Sequence, residues 1–277
     1  MKRAIVLCAD DYAHTKPISR AILDLAANKR ISALSCMTAS PHWPEHGRWL
    51  RDVRDAVDIG LHITLVDEAP LTEMPKTAPR GRLPGIGALI AKCYLGQIDL
   101  GEIDAEIRAQ AAAFEAVMGF PPQHIDGHLH THVLPGIRRL VLTMAQGLTP
   151  RPWLRNVAER YSTILKRGVA VPKTSFLAAL GRGFAREAGM SKAMMNDGFS
   201  GIHGFSPTEG DYTGLFEKFV TMTARRHLIL CHPGTADDIA AHATMRGAEY
   251  AFLQSGAFLD CLARRNLQLG RFSETAA

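Results

Sequence analysis

Two adjacent carboxylates, Asp10-Asp11, close the apolar run Ala4-Ile5-Val6-Leu7-Cys8-Ala9 near the start of the chain. A run of this length and composition reads as a buried strand. Parallel α/β folds set their chemistry at the downstream ends of such strands. Two like charges on neighbouring residues there are costly unless something neutralises them, and a metal ion is a natural partner. Further ligand types follow at similar places: His62 in Gly60-Leu61-His62, three imidazoles in Asp126-Gly127-His128-Leu129-His130-Thr131-His132, and His232 before Pro233-Gly234. One carboxylate and two imidazoles leave positions open on a divalent ion, as a hydrolytic site requires. A remaining acid and a remaining His are then free to move protons. Singly, each feature has an ordinary explanation, the acid pair as a turn or helix cap and a lone His as part of the core. Their joint placement at strand ends argues for chemistry. The HxHxH segment is expected to be extended, with His128, His130 and His132 on one face. The other histidines, His14 and His203 included, are read as structural or peripheral.

The elements that must position these residues alternate β and α. Strands are expected over Lys2–Ala9, Ser32–Thr38, Ala56–Thr64, Gln123–Asp126, Pro152–Asn156 and His227–Cys231, with a strand and loop in Asp197–Gly204 and a closing strand at Leu267–Leu269. Helices are expected over Pro17–Asn28, Trp43–Val53, Gly101–Met118, Pro135–Ala145, Tyr212–Ala224 and Arg246–Arg264. About seven βα units in this length favour parallel strands in a barrel or distorted barrel. No linker divides residues 1–277, so one domain is expected, with insertions near 66–100 and 157–196 that read as lids or binding loops.

Bulk properties narrow the function classes. The chain has 277 residues, 47% of them hydrophobic, enough for a large α/β core. No stretch approaches the ~20 apolar residues that span a bilayer. The N-terminal apolar run is too short for a secretory signal and ends in acids, so a cytoplasmic protein is expected. Cys8, Cys36, Cys93, Cys231 and Cys261 are dispersed, which suits reduced thiols rather than a disulfide framework. The net charge of +5 comes from scattered basic residues without a basic stripe, so nucleic acid is not an expected partner.

The segments Ala9-Asp10-Asp11-Tyr12, Ile59-Gly60-Leu61-His62-Ile63-Thr64-Leu65, Ile125-Asp126-Gly127-His128-Leu129-His130-Thr131-His132 and Leu230-Cys231-His232-Pro233-Gly234 resemble the successive motifs of the YdjC-like (ChbG/HpnK) carbohydrate deacetylases. The resemblance covers about residues 1–235. It implies a distorted (β/α) barrel that removes acetyl groups from N-acetylated sugars with one divalent metal ion. It further implies Asp11, His62 and His128 as metal ligands, Asp10 as catalytic base and His232 as acid. The sequence departs from the family at Tyr12-Ala13, where Phe-Gly is usual. Loss of that glycine removes conformational freedom and points to a different loop and substrate.

Further expectations surround this core. Arg155 is a candidate partner that holds Asp10 ionised, and Asp126 a candidate acceptor for a His N–H. His130 and His132 are candidates for support or substrate contact. Two imidazoles and one carboxylate suit zinc, while magnesium prefers oxygen ligands; zinc or magnesium is expected. Leu83, Ile86, Leu89, Ile90 and Tyr94 form either a packed lid or an apolar face for a lipid-linked sugar, a membrane surface or a homodimer. The rival classes are a metal phosphoesterase on a related barrel, which would want more carboxylates at strand ends, and a catalytically silent sugar-binding protein, which would not need Asp10 and His232.

Overall fold

The longest strand, β1 (Arg3–Tyr12), is buried from Ile5 onward. In the computed structural model, which describes residues 2–204, 212–238 and 242–275, it lies near the middle of the sheet. The other strands are β2 (Ala33–Cys36), β3 (Asp58–Ile63), β4 (His124–Gly127), β5 (Trp153–Leu154), β6 (Gly198–Ser200), β7 (His227–Cys231) and β8 (Leu267–Leu269). Seven of them follow the order β5-β4-β3-β2-β1-β7-β6, and β8 pairs with the start of β1. Every pairing is parallel. The curled sheet nearly meets itself: Leu154 at the end of β5 bridges Met195, just ahead of β6. This is the expected distorted barrel. Strands buried on both faces explain the continuous apolar runs.

Register decides which side chains become neighbours. Ala9 pairs with Cys231, so the next residues, Asp10 and His232, emerge side by side. His62 pairs with Asp126 across β3 and β4. Ile125 pairs with Leu154, which brings Arg155 beside Asp126. All five lie at one rim, as parallel strands require.

The helices are α1 (Lys16–Ala27), α2 (Trp43–Trp49), α3 (Ile86–Tyr94), α4 (Leu100–Met118), α5 (Ile137–Gly147), α6 (Tyr161–Arg167), α7 (Val171–Met190), α8 (Tyr212–Phe219), α9 (Ala243–Gln254), α10 (Gly256–Arg264) and α11 (Phe272–Thr275). Helix α1 starts as its sequence suggests: Thr15 accepts from the Ile18 amide, Pro17 occupies the first turn, and Ile18, Ile22 and Leu25 are buried. Two expectations need correction. Residues 246–264 form two helices, because Ser255 is extended (φ −73°, ψ 164°) and its hydroxyl donates to the Phe252 carbonyl. The HxHxH segment is a short 3₁₀ turn over His128–Val133, with Leu129 and His130 in the left-handed region, so the three imidazoles do not share a face.

The first insertion is strapped to α4. Glu106 accepts from the amides of Leu71 and Thr72, Glu102 from those of Lys76 and Thr77, and Gln110 pairs with both backbone groups of Thr64. Leu83 and Leu89 are buried, and Ile86 and Ile90 pack against the core. Of the five apolar residues singled out there, only Tyr94 is strongly exposed. The second insertion supplies α6 and α7, mostly helical as expected. All five cysteines are buried and unpaired. No helix among the described residues is long and apolar enough to cross a membrane.

Gly60 in β3 lets the His124 ring approach closely: a Cβ there would lie 2.3 Å from that ring, which is buried and stacked on Trp153. Gly60→Ala is therefore expected to cost roughly 1–3 kcal/mol through overpacking. Urea unfolding would measure it, and an unchanged midpoint would contradict the close approach.

Candidate active site and metal centre

Regular strand geometry sends adjacent side chains to opposite faces. Asp10 and Asp11 both reach the rim because β1 breaks its register with β2 between Ala9 and Tyr12, where Asp11 takes φ 70°. Ala13 follows at φ 72°. The departure from Phe-Gly therefore does not remove the glycine-like turn. Ala13 adopts the left-handed conformation that glycine takes freely and that costs an L-residue about 1–2 kcal/mol. Neighbours hold it there: its amide donates to Ser19 Oγ, and its carbonyl accepts from Ser40 Oγ.

Asp11, His62 and His128 converge. His62 Nε2 lies 3.3 Å from Asp11 Oδ1, and His128 Nδ1 lies 2.9 Å from the same oxygen. One ligand atom from each falls within 4.8 Å of the others. Two donors about 2.1 Å from a shared ion at a tetrahedral angle would stand about 3.4 Å apart, so these separations suit one small divalent ion. Two imidazole nitrogens and one carboxylate oxygen form a donor set that such ions accept. His62 is oriented from behind, its Nδ1 2.6 Å from Asp126 Oδ1. Burial presses this ring towards neutrality, but Asp126, with hydrogen bonds to Asp11 and Asp126 and the nearby charge of Asp10, outweighs it and raises the pKa to about 10. Burial also works against ionising Asp11, and Arg246 and His128 overcome it, holding the carboxyl well below its usual range.

Asp10 and Asp126 share one guanidinium. The buried Arg155 donates from Nη1 to Asp10 Oδ2 and from Nη2 to Asp10 Oδ1, each at 2.6 Å, and its Nη2 lies 2.5 Å from Asp126 Oδ2. The expected Arg155–Asp10 pair is thus present and bidentate. Each carboxylate oxygen keeps acceptor capacity beyond one bond, so Asp10 is fixed in place yet still able to accept a proton. Ser35 donates to Asp126 Oδ2 at 2.6 Å. His232 Nε2 lies 4.0 Å from Asp10 Oδ2, and its backbone amide donates to Glu249 Oε2 at 2.6 Å. Burial drives the His232 pKa down to about 3 against the opposing pull of Asp11 and Asp10, so the ring is neutral at pH 7.

The other two imidazoles of the motif go elsewhere. His132 is buried with Nε2 3.0 Å from the Arg155 carbonyl oxygen, which fixes the end of β5. His130 sets its ring edge-on to Phe199, 5.8 Å between centroids. His14, read as peripheral, stands at the mouth, its ring 6.4 Å from that of His128 and its Nε2 3.5 Å from Glu68. Sequence reasoning missed Arg246, which donates from Nη2 to Asp11 Oδ2 at 2.5 Å, and Glu249, which ties His203 to His232. The available signal was an Arg-x-x-Glu spacing on one face of α9.

Three comparisons bear on this site. A family model described as YdjC-like protein matches residues 4–264. The chitooligosaccharide deacetylases of Yersinia pestis (strain Pestoides F) and Yersinia pseudotuberculosis serotype O:1b (strain IP 31758) are each 28% identical over 277 residues, covering 98% of this chain and 99% of theirs. A solved structure from Enterococcus faecalis V583, of a protein named for cellobiose-phosphate cleavage, shares the fold with a TM-score of 0.72 at 18% identity, over 99% of both chains.

Two histidines near the site give a pH signature. Burial is the leading cause for both, lowering His124 to about 3 and His132 to about 4. Unfolding frees them to bind protons near their ordinary value of 6.5, so the unfolded state holds more protons between about pH 4 and 6.5. Their contribution is therefore present above pH 6.5 and lost on acidification, roughly 2 kcal/mol for each between pH 7 and 5. Thermal unfolding in chelator should show a midpoint several degrees lower at pH 5 than at pH 7, because these losses, together with that of His232, exceed the opposing gain from His62, whose raised pKa favours the folded state as the pH falls; equal midpoints would mean that the buried rings as a set are not held neutral.

Proposed function

The chain belongs to the YdjC-like family, and from that membership and the rim geometry we propose that it is a metal-dependent carbohydrate deacetylase, one domain that hydrolyses the N-acetyl group of an amino sugar and releases acetate. One observation carries the reading. The Asp11–His62–His128 cluster lies beside a second acid clamped by Arg155, and that acid is 4.0 Å from His232. A ligand cluster with a separate acid and imidazole beside it is what amide hydrolysis needs.

Asp11 Oδ1, His62 Nε2 and His128 Nδ1 would hold the ion. A divalent metal bound there would polarise the acetyl carbonyl and acidify the attacking water. The nitrogen-rich donor set favours zinc over magnesium. Asp10 takes the proton from the water as its oxygen attacks the amide carbon. Arg155 holds Asp10 in position with two hydrogen bonds. An amide nitrogen leaves poorly without a proton. His232 is neutral at the outset, so the proton it gives must arrive within the cycle. Asp10, whose Oδ2 lies 4.0 Å away, supplies it through one bridging water once it has taken the attacking water's proton. One proton thus passes from water through Asp10 and His232 to the departing amine. Chito-oligosaccharides are the substrate class to test first, since the Yersinia relatives are named for them.

Acetate release from N-acetylglucosamine oligomers, with zinc, magnesium or chelator, tests the reaction class; absence of acetate in every condition would reject it. Asp10→Asn should reduce turnover by at least a hundredfold while elemental analysis finds the metal content retained, and a fully active variant would remove Asp10 from the base role. His128→Ala should lose metal and activity together; unchanged metal stoichiometry would exclude it from the ligand set.

A further inference from the structure

Helix α9 lies beyond the motifs that carry the chemistry, yet it reaches both halves of the site. Arg246 and Glu249 are one turn apart on its buried face. Glu249 accepts from the His232 amide through Oε2 and pairs with His203 Nε2 through Oε1 at 2.9 Å. Arg246 donates to Asp11 Oδ2 at 2.5 Å, while Oδ1 of the same carboxylate faces His62 and His128. The Arg246 carbonyl accepts from the Gly234 amide, which ties the helix to the loop after His232.

Arg246 is a poor device for stability alone. Its guanidinium is nearly buried, and its Nε and Nη1 have no hydrogen-bond partner among the described residues. Each such donor costs about 1–3 kcal/mol, and a buried ion pair often contributes no more than an apolar replacement would. The contact with Asp11 is what gives the residue its value.

We propose that Arg246 is a positioning residue for the metal centre: it occupies Asp11 Oδ2, leaves Oδ1 as the single oxygen turned to the two imidazoles, and acts as a built-in counter-cation that lowers the site's affinity for a divalent ion. The proposal rests on the assignment of Asp11, His62 and His128 as ligands. Its consequence is an exchangeable metal. Asp11 is already neutralised before an ion arrives, so an incoming ion gains less than it would at a bare carboxylate and also meets a like charge nearby.

The test is zinc affinity, measured by competition with a chromophoric chelator on the full chain. Arg246→Gln keeps a donor for Oδ2 and removes the charge. It should bind zinc at least about tenfold more tightly than the natural chain, and zinc should raise its thermal midpoint by more. Arg246→Lys, which keeps the charge, should bind within about threefold of the natural chain. A residue that merely braced the fold would give Arg246→Gln equal or weaker zinc binding, and that result overturns the proposal. If the natural chain binds no zinc at the site, the ligand assignment fails and the proposal falls with it. Should Arg246→Gln not fold, Arg246→Met, which keeps the side-chain length and removes the charge, takes its place in the same zinc titration, and equal or weaker zinc binding there overturns the idea.

Discussion

Arg155 lies fully buried between Asp10 and Asp126, and the rim depends on that guanidinium. It neutralises two carboxylates that the strand register forces together. It clamps Asp10 with two bonds and, by engaging only Oδ2 of Asp126, leaves Oδ1 to orient His62. Its planar fork makes this possible where a lysine point charge could not. The cost is a charge cluster in a low-dielectric interior, where removing one partner leaves the other exposed to the full desolvation penalty. Support is accordingly dense: Ser35 on Asp126, His132 on the Arg155 carbonyl, and Trp153 stacked on His124.

The second constraint is backbone strain kept close to the chemistry. Asp11, Ala13, Leu129 and His130 all lie in the left-handed region without being glycine. Each costs about 1–2 kcal/mol, and such residues persist only where their surroundings over-determine them. Around the first turn, Ser19, Ser40 and the Tyr12 hydroxyl on the His46 carbonyl supply that support. Around the second, Thr131 closes the turn onto the Leu134 amide and His132 anchors its end. The strain brings both acids to one rim and separates His128 from His130 and His132.

Local sequence carried much of the fold. The apolar runs of β1, β3 and β7, the capped start of α1 and the amphipathic span of α4 follow from propensity and periodicity, and they place Asp10, His62 and His232 at strand ends. The break at Ser255 had a local signal, a serine that favours caps followed by Gly256, but apolar residues at helical spacing on both sides of it masked the boundary. The expected common face of the HxHxH imidazoles failed for a different reason. Period-two reasoning assumes a strand, and the chain leaves β4 at Gly127 for a left-handed turn.

By itself, the sequence determined which chemical groups arrive at the ends of parallel strands, since apolar runs and their terminal residues are local properties. Tertiary structure alone decided how those groups stand relative to one another. A register break turns two adjacent acids to one rim, against strict strand alternation. Pairings more than a hundred residues apart set Arg155 against Asp10 and Arg246 against Asp11. No local pattern encodes such contacts, because they depend on which strands pair and in what register. With them Asp11 becomes a carboxylate with one oxygen turned to the imidazoles, and Asp10 one held bidentate within reach of His232.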